Sequence, residues 1–115
     1  MKRGDVFVAR LRPRSGSEQR GTRPVIVVSH DAFNEVAGWR SVIVVPVSSS
    51  RKQSARGPTA VPIDGGVSGL ARPSVALCHQ VTTLDRSKLT RKLGALPRGD
   101  TARLNAGLMA ALSLV

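Results

Sequence analysis

The fold is decided by two apolar runs in the first half of the sequence: residues 24–29 read PVIVVS, and residues 41–48 read SVIVVPVS. Both runs are short and rich in β-branched residues, which favours strands over helices. The first run is almost continuously apolar, as is typical of a strand that is buried on both faces. The second contains Pro46, which has no amide proton for a ladder hydrogen bond, so an edge strand or a bulge is predicted there.

Shorter strand-like segments lie on both sides of these runs. Alternating or β-branched residues predict further strands at 5–11, 59–64, 74–81 and 89–96, with turns at 65–69 and 85–88. Polar loops are predicted at 12–22 and 49–58 because both stretches combine glycine, proline and charged residues. Residues 31–35 predict a single helical turn with Asp31 as its N-cap.

The end of the chain has the pattern of an amphipathic helix. Apolar residues recur at the spacing of one helical face, at Leu104, Leu108, Ala111, Leu112 and Val115. Asp100 or Thr101 is the predicted N-cap. Many short strands followed by one helix predict a mainly β fold of the α+β class, a small antiparallel barrel with the helix packed on it. The length of 115 residues fits a single domain spanning 1–115.

The charge balance indicates the kind of partner. The chain has 18 Lys and Arg against 7 Asp and Glu, a formal net charge of +11, and 14 of the 18 cations are arginine. Such a surface attracts polyanions, so a nucleic acid or an acidic protein is expected, and the planar guanidinium suits phosphate. The only aromatic residues are Phe7, Phe33 and Trp39, which argues against a module that coats single strands by stacking.

Several protein classes are disfavoured. No apolar run reaches the roughly 18 residues that a membrane span needs, and the start lacks an apolar stretch of signal-peptide length, so a cytoplasmic protein is expected. Cys78 is the single cysteine, which excludes an intramolecular disulfide. One cysteine and two histidines cannot supply four zinc ligands without carboxylates. No metal or other cofactor is therefore expected.

The densest group of polar residues lies in the first loop, where residues 16–24 read GSEQRGTRP. Glu18 is surrounded there by arginines, which favour its ionised form. From the residues alone two interpretations stay open. Glu18 belongs to a functional site, or it only forms an ion pair with Arg20 or Arg23 that holds the loop in place.

A series of motifs makes the sequence resemble the MazF/PemK (Kid) toxins. In order along nearly the whole chain they are GDVFV at 4–8, GSEQ at 16–19, GTRPVIVVS at 21–29, DAFN at 31–34, VPVSS at 45–49, LCHQ at 77–80 and TLD at 83–85. The resemblance implies a small SH3-like barrel of the PemK/CcdB type, a homodimer, and cleavage of single-stranded RNA at short sequences without metal. It also implies inhibition by a cognate acidic antitoxin similar to MazE.

The chemistry implied by this resemblance is attack of a ribose 2′-hydroxyl on its adjacent phosphate, which leaves a 2′,3′-cyclic phosphate and a 5′-hydroxyl. Arg23 corresponds to the catalytic arginine of the family. Ser48 corresponds to a threonine that hydrogen-bonds the scissile phosphate, and Glu18 to a glutamate proposed in some members as general base. RNA contacts are expected from Ser17, Gln19, Arg20, Arg51, Lys52, Arg56, His79 and Gln80.

The sequence also departs from the family. The Kid branch has a histidine where this chain has Ser17, and an arginine and an aspartate where it has Leu77 and His79, so the Kid catalytic set does not transfer. Two alternatives remain at this stage. One is a gyrase poison like CcdB, although that relative uses a tryptophan near its C-terminus and the single tryptophan here is Trp39. The other is a basic nucleic-acid-binding barrel without catalysis.

Overall fold

Strands account for most of the regular structure in the computed structural model, which describes residues 1–11, 21–50, 52 and 57–114. The strands are β1 Asp5–Leu11, β2 Gly21–Val27, β3 Ser41–Ser48, β4 Ala60–Ile63, β5 Ser74–Leu77, β6 Thr82–Asp85 and β7 Leu89–Ala95. The helices are α1 Asp31–Asn34 and α2 Arg98–Leu112, with 3₁₀ turns at Gly66–Ser68, Cys78–Gln80 and Arg86–Lys88.

All strand pairs in the described chain are antiparallel, and the sheet order is β4-β5-β3-β2-β1-β7. The predicted α+β class, an antiparallel sheet with a terminal helix, is confirmed. The predicted barrel is not closed, because no ladder joins β4 to β7 within the described ranges.

β3 is the central strand, which corrects the expectation that Pro46 marks an edge or a bulge. One side of β3 pairs with β2, and Pro46 lies opposite Val25 there. On the other side, residues 41–44 pair with β6 and residues 47–48 pair with β5. Pro46 therefore falls where one neighbouring strand has ended and the next has not begun, so its missing amide proton removes no ladder bond on that side.

The central strands are buried on both faces, as the apolar runs predict. Val25 and Val27 of β2 belong to one apolar cluster, and Ile26, between them, belongs to the other. Leu104 of α2 is fully buried in the same cluster as Ile26. The predicted apolar face of α2 is only partly covered, because Leu112 at the end of the helix is 52% exposed.

Both predicted helix caps are wrong. His30 caps α1, since its Nδ1 accepts a hydrogen bond from the amide of Ala32 at 2.9 Å. Asp31 instead lies in the first turn and accepts from the amide of Arg3 at 2.6 Å. In α2 the N-cap is Pro97, and Asp100 lies one turn inside, buried and paired with Arg103. Each carboxylate still lies near a helix N-terminus, where negative charge is favourable.

Two predicted strands end or begin elsewhere in the structure. The segment 74–81 is a strand only to Leu77, because the chain then makes the Cys78–Gln80 turn. β2 begins at Gly21, inside the segment predicted as a loop. The strands at 5–11 and 41–48 have the predicted bounds. In the described ranges no helix is both long and apolar enough to cross a membrane.

We expect acid to destabilise the fold through two carboxylates. Hydrogen bonds from the Ser87 hydroxyl and amide, and from Arg40, hold the pKa of Asp85 well below its usual range. The Arg3 amide and Asn34 lower the pKa of Asp31. A lowered folded-state pKa stabilises the protein above the unfolded value of about 4, and this stabilisation is lost as the pH falls through the folded-state pKa.

Urea unfolding followed by circular dichroism between about pH 5 and pH 2 tests this linkage. The Asp31→Asn/Asp85→Asn double variant is expected to lose less stability on acidification than the wild type. Ser87→Ala, which removes one hydrogen bond to Asp85, is expected to show an intermediate dependence. Identical pH dependence in all three proteins would contradict the assignment.

Candidate functional site

Arg23 and Ser48 lie at the same end of the sheet, although 24 residues separate them in sequence. The ladder between β2 and β3 pairs Val25 with Pro46. This ladder ends two residues short of Arg23 and Ser48, so both residues lie just beyond its last pair. Arg23 is exposed and also lies opposite Ala9 of β1. The two residues predicted to act on the scissile phosphate therefore lie at the same end of the sheet.

Ser48 is held in place by its neighbours. It is buried and pairs with Val75 of β5. Its Oγ accepts a hydrogen bond from the amide of Ser50 at 3.1 Å. Because a hydroxyl both donates and accepts, the Ser48 Oγ still has a proton to donate to a ligand.

A cleft of about 140 Å³ opens next to Arg23, and we call it the Arg23 cleft. Its lining also includes Ser49, Leu70, Arg72 and Ser74. Two guanidinium groups and two hydroxyls thus border one small cavity. Guanidinium forks and hydroxyl donors are the groups that bind a phosphate most directly.

Arg72 is a candidate that the sequence analysis missed. It lies between the 3₁₀ turn at Gly66–Ser68 and β5, in a stretch that has no strand or helix pattern. Only the folded chain brings it to Arg23. One signal was present in the sequence, since Arg72 precedes Pro73 just as Arg23 precedes Pro24.

The segment that carries Arg72 is fixed by Gly69. This glycine has φ of +80°, and a Cβ there would overlap the carbonyl oxygen of Leu93 in β7. The backbone of Gly69 therefore lies directly against β7, a contact that only glycine permits. Leu70, the next residue, is buried in the core. These two anchors hold the wall of the Arg23 cleft in position.

A second cavity, of about 240 Å³, adjoins the Arg23 cleft, and we call it the serine pocket. Its lining includes the three serines at the end of β3 and, from β4 and β5, Pro62, Ser74 and Val75. Ser49 and Ser74 line both cavities, so the two are neighbours. No charged side chain is among the described residues that line the serine pocket.

His79 and Gln80 lie away from this end of the sheet. They belong to the 3₁₀ turn at Cys78–Gln80, which corrects the expectation that His79 is on a strand. His79 Nδ1 is 3.5 Å from Thr59 Oγ1, and its Nε2 is 3.5 Å from Gln80 Nε2. Val75, which pairs with Ser48, is four residues earlier along β5, so the turn lies roughly 10 Å or more from Ser48.

Cys78 anchors this turn to α2. The thiol is buried, and its Sγ lies 3.9 Å from the carbonyl oxygen of Leu104. A Cβ on Gly107 of α2 would come within 2.8 Å of the same sulfur atom. Burial raises the pKa of the Cys78 thiol to about 11. A protonated, enclosed thiol is a packing group and not a nucleophile.

The ends of two strands mark the two regions. β3 ends at Ser48, opposite Val75, and β4 begins at Ala60, which pairs with Leu77 at the other end of β5. Lys52, which lies between these strands in sequence, is exposed. The remaining predicted site residues lie outside the described residues: Ser17, Glu18, Gln19, Arg20, Arg51 and Arg56.

Comparisons with known proteins agree on one family. A family profile described as "PemK-like, MazF-like toxin of type II toxin-antitoxin system" matches residues 2–112. Endoribonuclease EndoA of Bacillus subtilis (strain 168) is 36% identical over 115 residues, which covers 100% of this chain and 97% of that protein.

Solved structures give the same result. A crystal structure of MazF from Deinococcus radiodurans is similar with a TM-score of 0.77 and 29% identity, covering 98% of this chain and 96% of that one. A crystal structure of MazE–MazF from the same organism is similar with a TM-score of 0.73 and 28% identity, covering 100% of this chain and 97% of that one.

Proposed function

Because this chain belongs to the PemK-like, MazF-like family of toxins of type II toxin–antitoxin systems, we propose that it is a toxin endoribonuclease that cleaves single-stranded RNA without a metal ion and so inhibits translation and growth. The observation that supports this most is the small cleft lined by Arg23 and Arg72, which adjoins the pocket lined by Ser48 through the shared residues Ser49 and Ser74. The similarity to endoribonuclease EndoA over the whole chain supports the same reaction class.

In the proposed reaction the 2′-hydroxyl of one ribose attacks its own 3′-phosphate. A bond forms between phosphorus and O2′, and the bond to the 5′-oxygen of the next nucleotide breaks. The products are a 2′,3′-cyclic phosphate and a 5′-hydroxyl. A base must take the proton of the 2′-hydroxyl, and an acid must supply one to the leaving oxygen.

Arg23 and Ser48 would stabilise the charge that develops on phosphorus. The guanidinium of Arg23 neutralises the non-bridging oxygens, and the Ser48 hydroxyl donates a hydrogen bond to one of them. Arg72, which also lines the Arg23 cleft, would supply a second cation. Arginine does not readily lose a proton, so the leaving oxygen would be protonated through water. Glu18 is proposed as the base.

The remaining contacts would hold the RNA strand. Arg20, Arg51, Lys52 and Arg56 would bind the phosphate backbone, and Ser17, Gln19, His79 and Gln80 would contact bases. The strand ends support this division, because β3 ends at Ser48 and β4 begins opposite Leu77, next to the Cys78–Gln80 turn. An RNA strand that contacts both regions would meet the phosphate site first and the His79 turn several nucleotides later.

Cleavage of a long single-stranded RNA in EDTA tests the proposal. We expect cuts at a short recurring sequence, with cyclic phosphate and 5′-hydroxyl ends on mapping of the products. Intact RNA from folded protein would overturn the ribonuclease proposal. A gyrase supercoiling assay and an RNA-binding titration would then separate the two alternatives, a CcdB-like poison and a binding module without catalysis.

Removing the hydroxyl of Ser48 is expected to slow cleavage about 10-fold to 100-fold, the range for a lost hydrogen bond to a charged group. The effect should fall mainly on kcat, because the bond strengthens as charge develops on the phosphate. Ser48→Thr restores the hydroxyl and should stay within a few-fold of wild type. Ser41→Ala, at the other end of β3, is the matched control. Equal kcat values for Ser48→Ala and wild type would exclude the role.

We also propose that residues 1–115 form a single toxin domain that acts in the cytoplasm as a homodimer. Its inhibitor would be a cognate acidic antitoxin similar to MazE. The net charge of +11 supports an acidic partner, and one similar structure is a MazE–MazF complex. Because a charged interface is screened by salt, affinity for an acidic antitoxin segment should fall as salt rises and with Lys52→Glu. Insensitivity to both would contradict this mode of binding.

A further inference from the structure

Two of the three aromatic residues of the chain lie on the surface and contact each other. Phe33 and Trp39 are 45% and 46% exposed, and their ring centroids are 5.0 Å apart. Val36, between them in sequence, is 50% exposed. We call these three residues the aromatic patch. None of them belongs to either apolar cluster, so packing of the core does not explain them. Clustered exposed apolar side chains of this kind mark interaction surfaces.

The backbone of the aromatic patch is held by Arg86. Its Nε donates to the carbonyl oxygen of Trp39, and its Nη2 lies 3.0 Å from the carbonyl oxygen of Phe33 and 3.2 Å from that of Val36. The amide of Val36 donates to the carbonyl of Phe33, and the amide of Trp39 to that of Val36. One guanidinium therefore fixes the backbone of all three residues. A surface fixed before binding loses little conformational entropy when a partner binds.

The aromatic patch lies at the opposite end of β3 from the proposed phosphate site. Trp39 comes two residues before β3 begins, and Ser48 is the last residue of the strand. Arg86 follows Asp85, which pairs with Ser41 at the first position of β3. The eight residues of the strand span about 24 Å. A partner that binds the aromatic patch therefore need not occupy the Arg23 cleft.

The charges of the chain decide which occupant suits the patch. On the segments that form and hold it, residues 33–40 and 85–86, Arg40 and Arg86 are matched by Glu35 and Asp85. RNA needs an excess of cations along its phosphates, which this balance does not supply. A second copy of the chain carries the same net charge of +11 and gains no electrostatic attraction. An acidic protein segment is attracted by the whole molecule and can bury apolar side chains on the patch.

Resting on the proposed toxin function, we propose that the aromatic patch is a docking surface for apolar side chains of the acidic antitoxin, separate from the site that binds RNA. Attraction by the net charge acts mainly on the rate of association, whereas burial of aromatic side chains acts mainly on the rate of dissociation. A kinetic experiment therefore separates the two contributions. The contacts at the patch keep the antitoxin bound at salt concentrations that screen the charged contacts.

Surface plasmon resonance with purified antitoxin tests the docking surface. The antitoxin used is the protein whose co-expression restores growth to cells that express this chain. Trp39→Ser should raise its dissociation rate about 30-fold, the effect of one interface hot spot, and change the association rate little. Lys52→Glu should mainly lower the association rate. Leu114→Ser removes an exposed apolar side chain outside the patch. It is the matched control and should match wild type.

Two variants of Val36 test the charge of the partner. Val36→Asp and Val36→Lys both remove the apolar side chain, but aspartate repels an acidic segment and lysine attracts one. The antitoxin should dissociate about fivefold faster from Val36→Asp than from Val36→Lys. All patch variants should cleave RNA at the wild-type rate, because the patch lies outside the Arg23 cleft. Wild-type dissociation rates for Trp39→Ser and Val36→Asp would overturn the docking proposal and leave the ribonuclease proposal standing.

A spectroscopic readout distinguishes the possible occupants. Trp39 is the single tryptophan, so fluorinated tryptophan gives a fluorine NMR signal from the patch alone. The antitoxin should shift this signal, and an uncleavable RNA with 2′-O-methyl riboses should not. A shift with the RNA alone, or with rising toxin concentration alone, would assign the patch to RNA or to a second copy and overturn the docking proposal. If expression of the chain does not slow growth, the proposed toxin function is overturned, and with it the docking proposal that rests on it.

Discussion

Replacement of Arg23 by alanine is expected to reduce RNA cleavage about 1,000-fold, near the upper end of the loss found when one charge-stabilising donor is removed from an active site. Arg23 is exposed on β2 and contributes to neither apolar cluster, so the fold should be retained. The loss should therefore appear in single-turnover cleavage rates while the thermal unfolding curve stays in place.

Two further variants, Arg23→Lys and Arg91→Ala, test whether the loss of cleavage depends on the guanidinium at position 23. Lysine keeps the positive charge but lacks the planar guanidinium fork. The cleavage rate of Arg23→Lys is therefore expected to lie between those of Arg23→Ala and wild type. Arg91 is an exposed arginine of β7 that lies opposite Val8, and Val8 lies opposite Pro24. It therefore projects from the other face of the same sheet, one position from Arg23. If Arg23→Ala cleaves RNA at the same rate as Arg91→Ala, Arg23 has no role in the mechanism.

Gly69→Ala is expected to cost about 3 kcal/mol or more in the free energy of unfolding. One part is the left-handed backbone at Gly69, which costs a side-chain-bearing residue about 1–2 kcal/mol. The other is the overlap of the new Cβ with the carbonyl oxygen of Leu93, an overpacking that typically costs about 1–3 kcal/mol. The carbonyl oxygen is a backbone atom of β7 and not the end of a flexible side chain, so the overlap cannot be relieved cheaply.

Two other glycines separate these contributions. Gly66 has φ of +75° but open space around its Cβ position, so Gly66→Ala should show only the conformational part, about 1–2 kcal/mol. Gly38 has neither a left-handed backbone nor a close neighbour, so Gly38→Ala should lie within about 0.5 kcal/mol of wild type. Urea unfolding of the three variants gives the comparison. Equal midpoints for Gly69→Ala and Gly66→Ala would show that the Leu93 contact is unimportant.

The strands predicted best from the sequence are those whose apolar residues are also the buried residues of the structure. Residues 5–11 and 41–48 have the predicted bounds, because their apolar residues serve the two core clusters directly. β6 at Thr82–Asp85 was missed, since most of it is polar and its place in the sheet comes from pairing with β3. The predicted caps were wrong for two reasons. Asp31 accepts a hydrogen bond from the amide of Arg3, a contact between residues far apart in sequence. Asp100 pairs with Arg103 one turn later in the helix, a local contact that the cap prediction overlooked.

The candidate site depends even more on tertiary structure. Arg23 and Ser48 were found through a family resemblance, and their place at the same end of the sheet follows from a strand register that the sequence does not specify. Arg72 was missed because nothing local distinguishes it from the other surface arginines. Its position depends on the contact between Gly69 and β7, and on Leu70 entering the core. The serine pocket likewise needs three strands side by side.

The contact between Gly69 and Leu93 also decides when a newly made molecule can become active. A ribosome adds residues from the N-terminus, so Arg23, Ser48 and Arg72 are all made before β7. The wall that carries Arg72 rests on β7, and β1 pairs with residues 89–95 along one whole edge. The cleft is therefore completed only after residue 93 has been made. Nascent chains stalled before residue 93 should be unable to cleave the RNA being read.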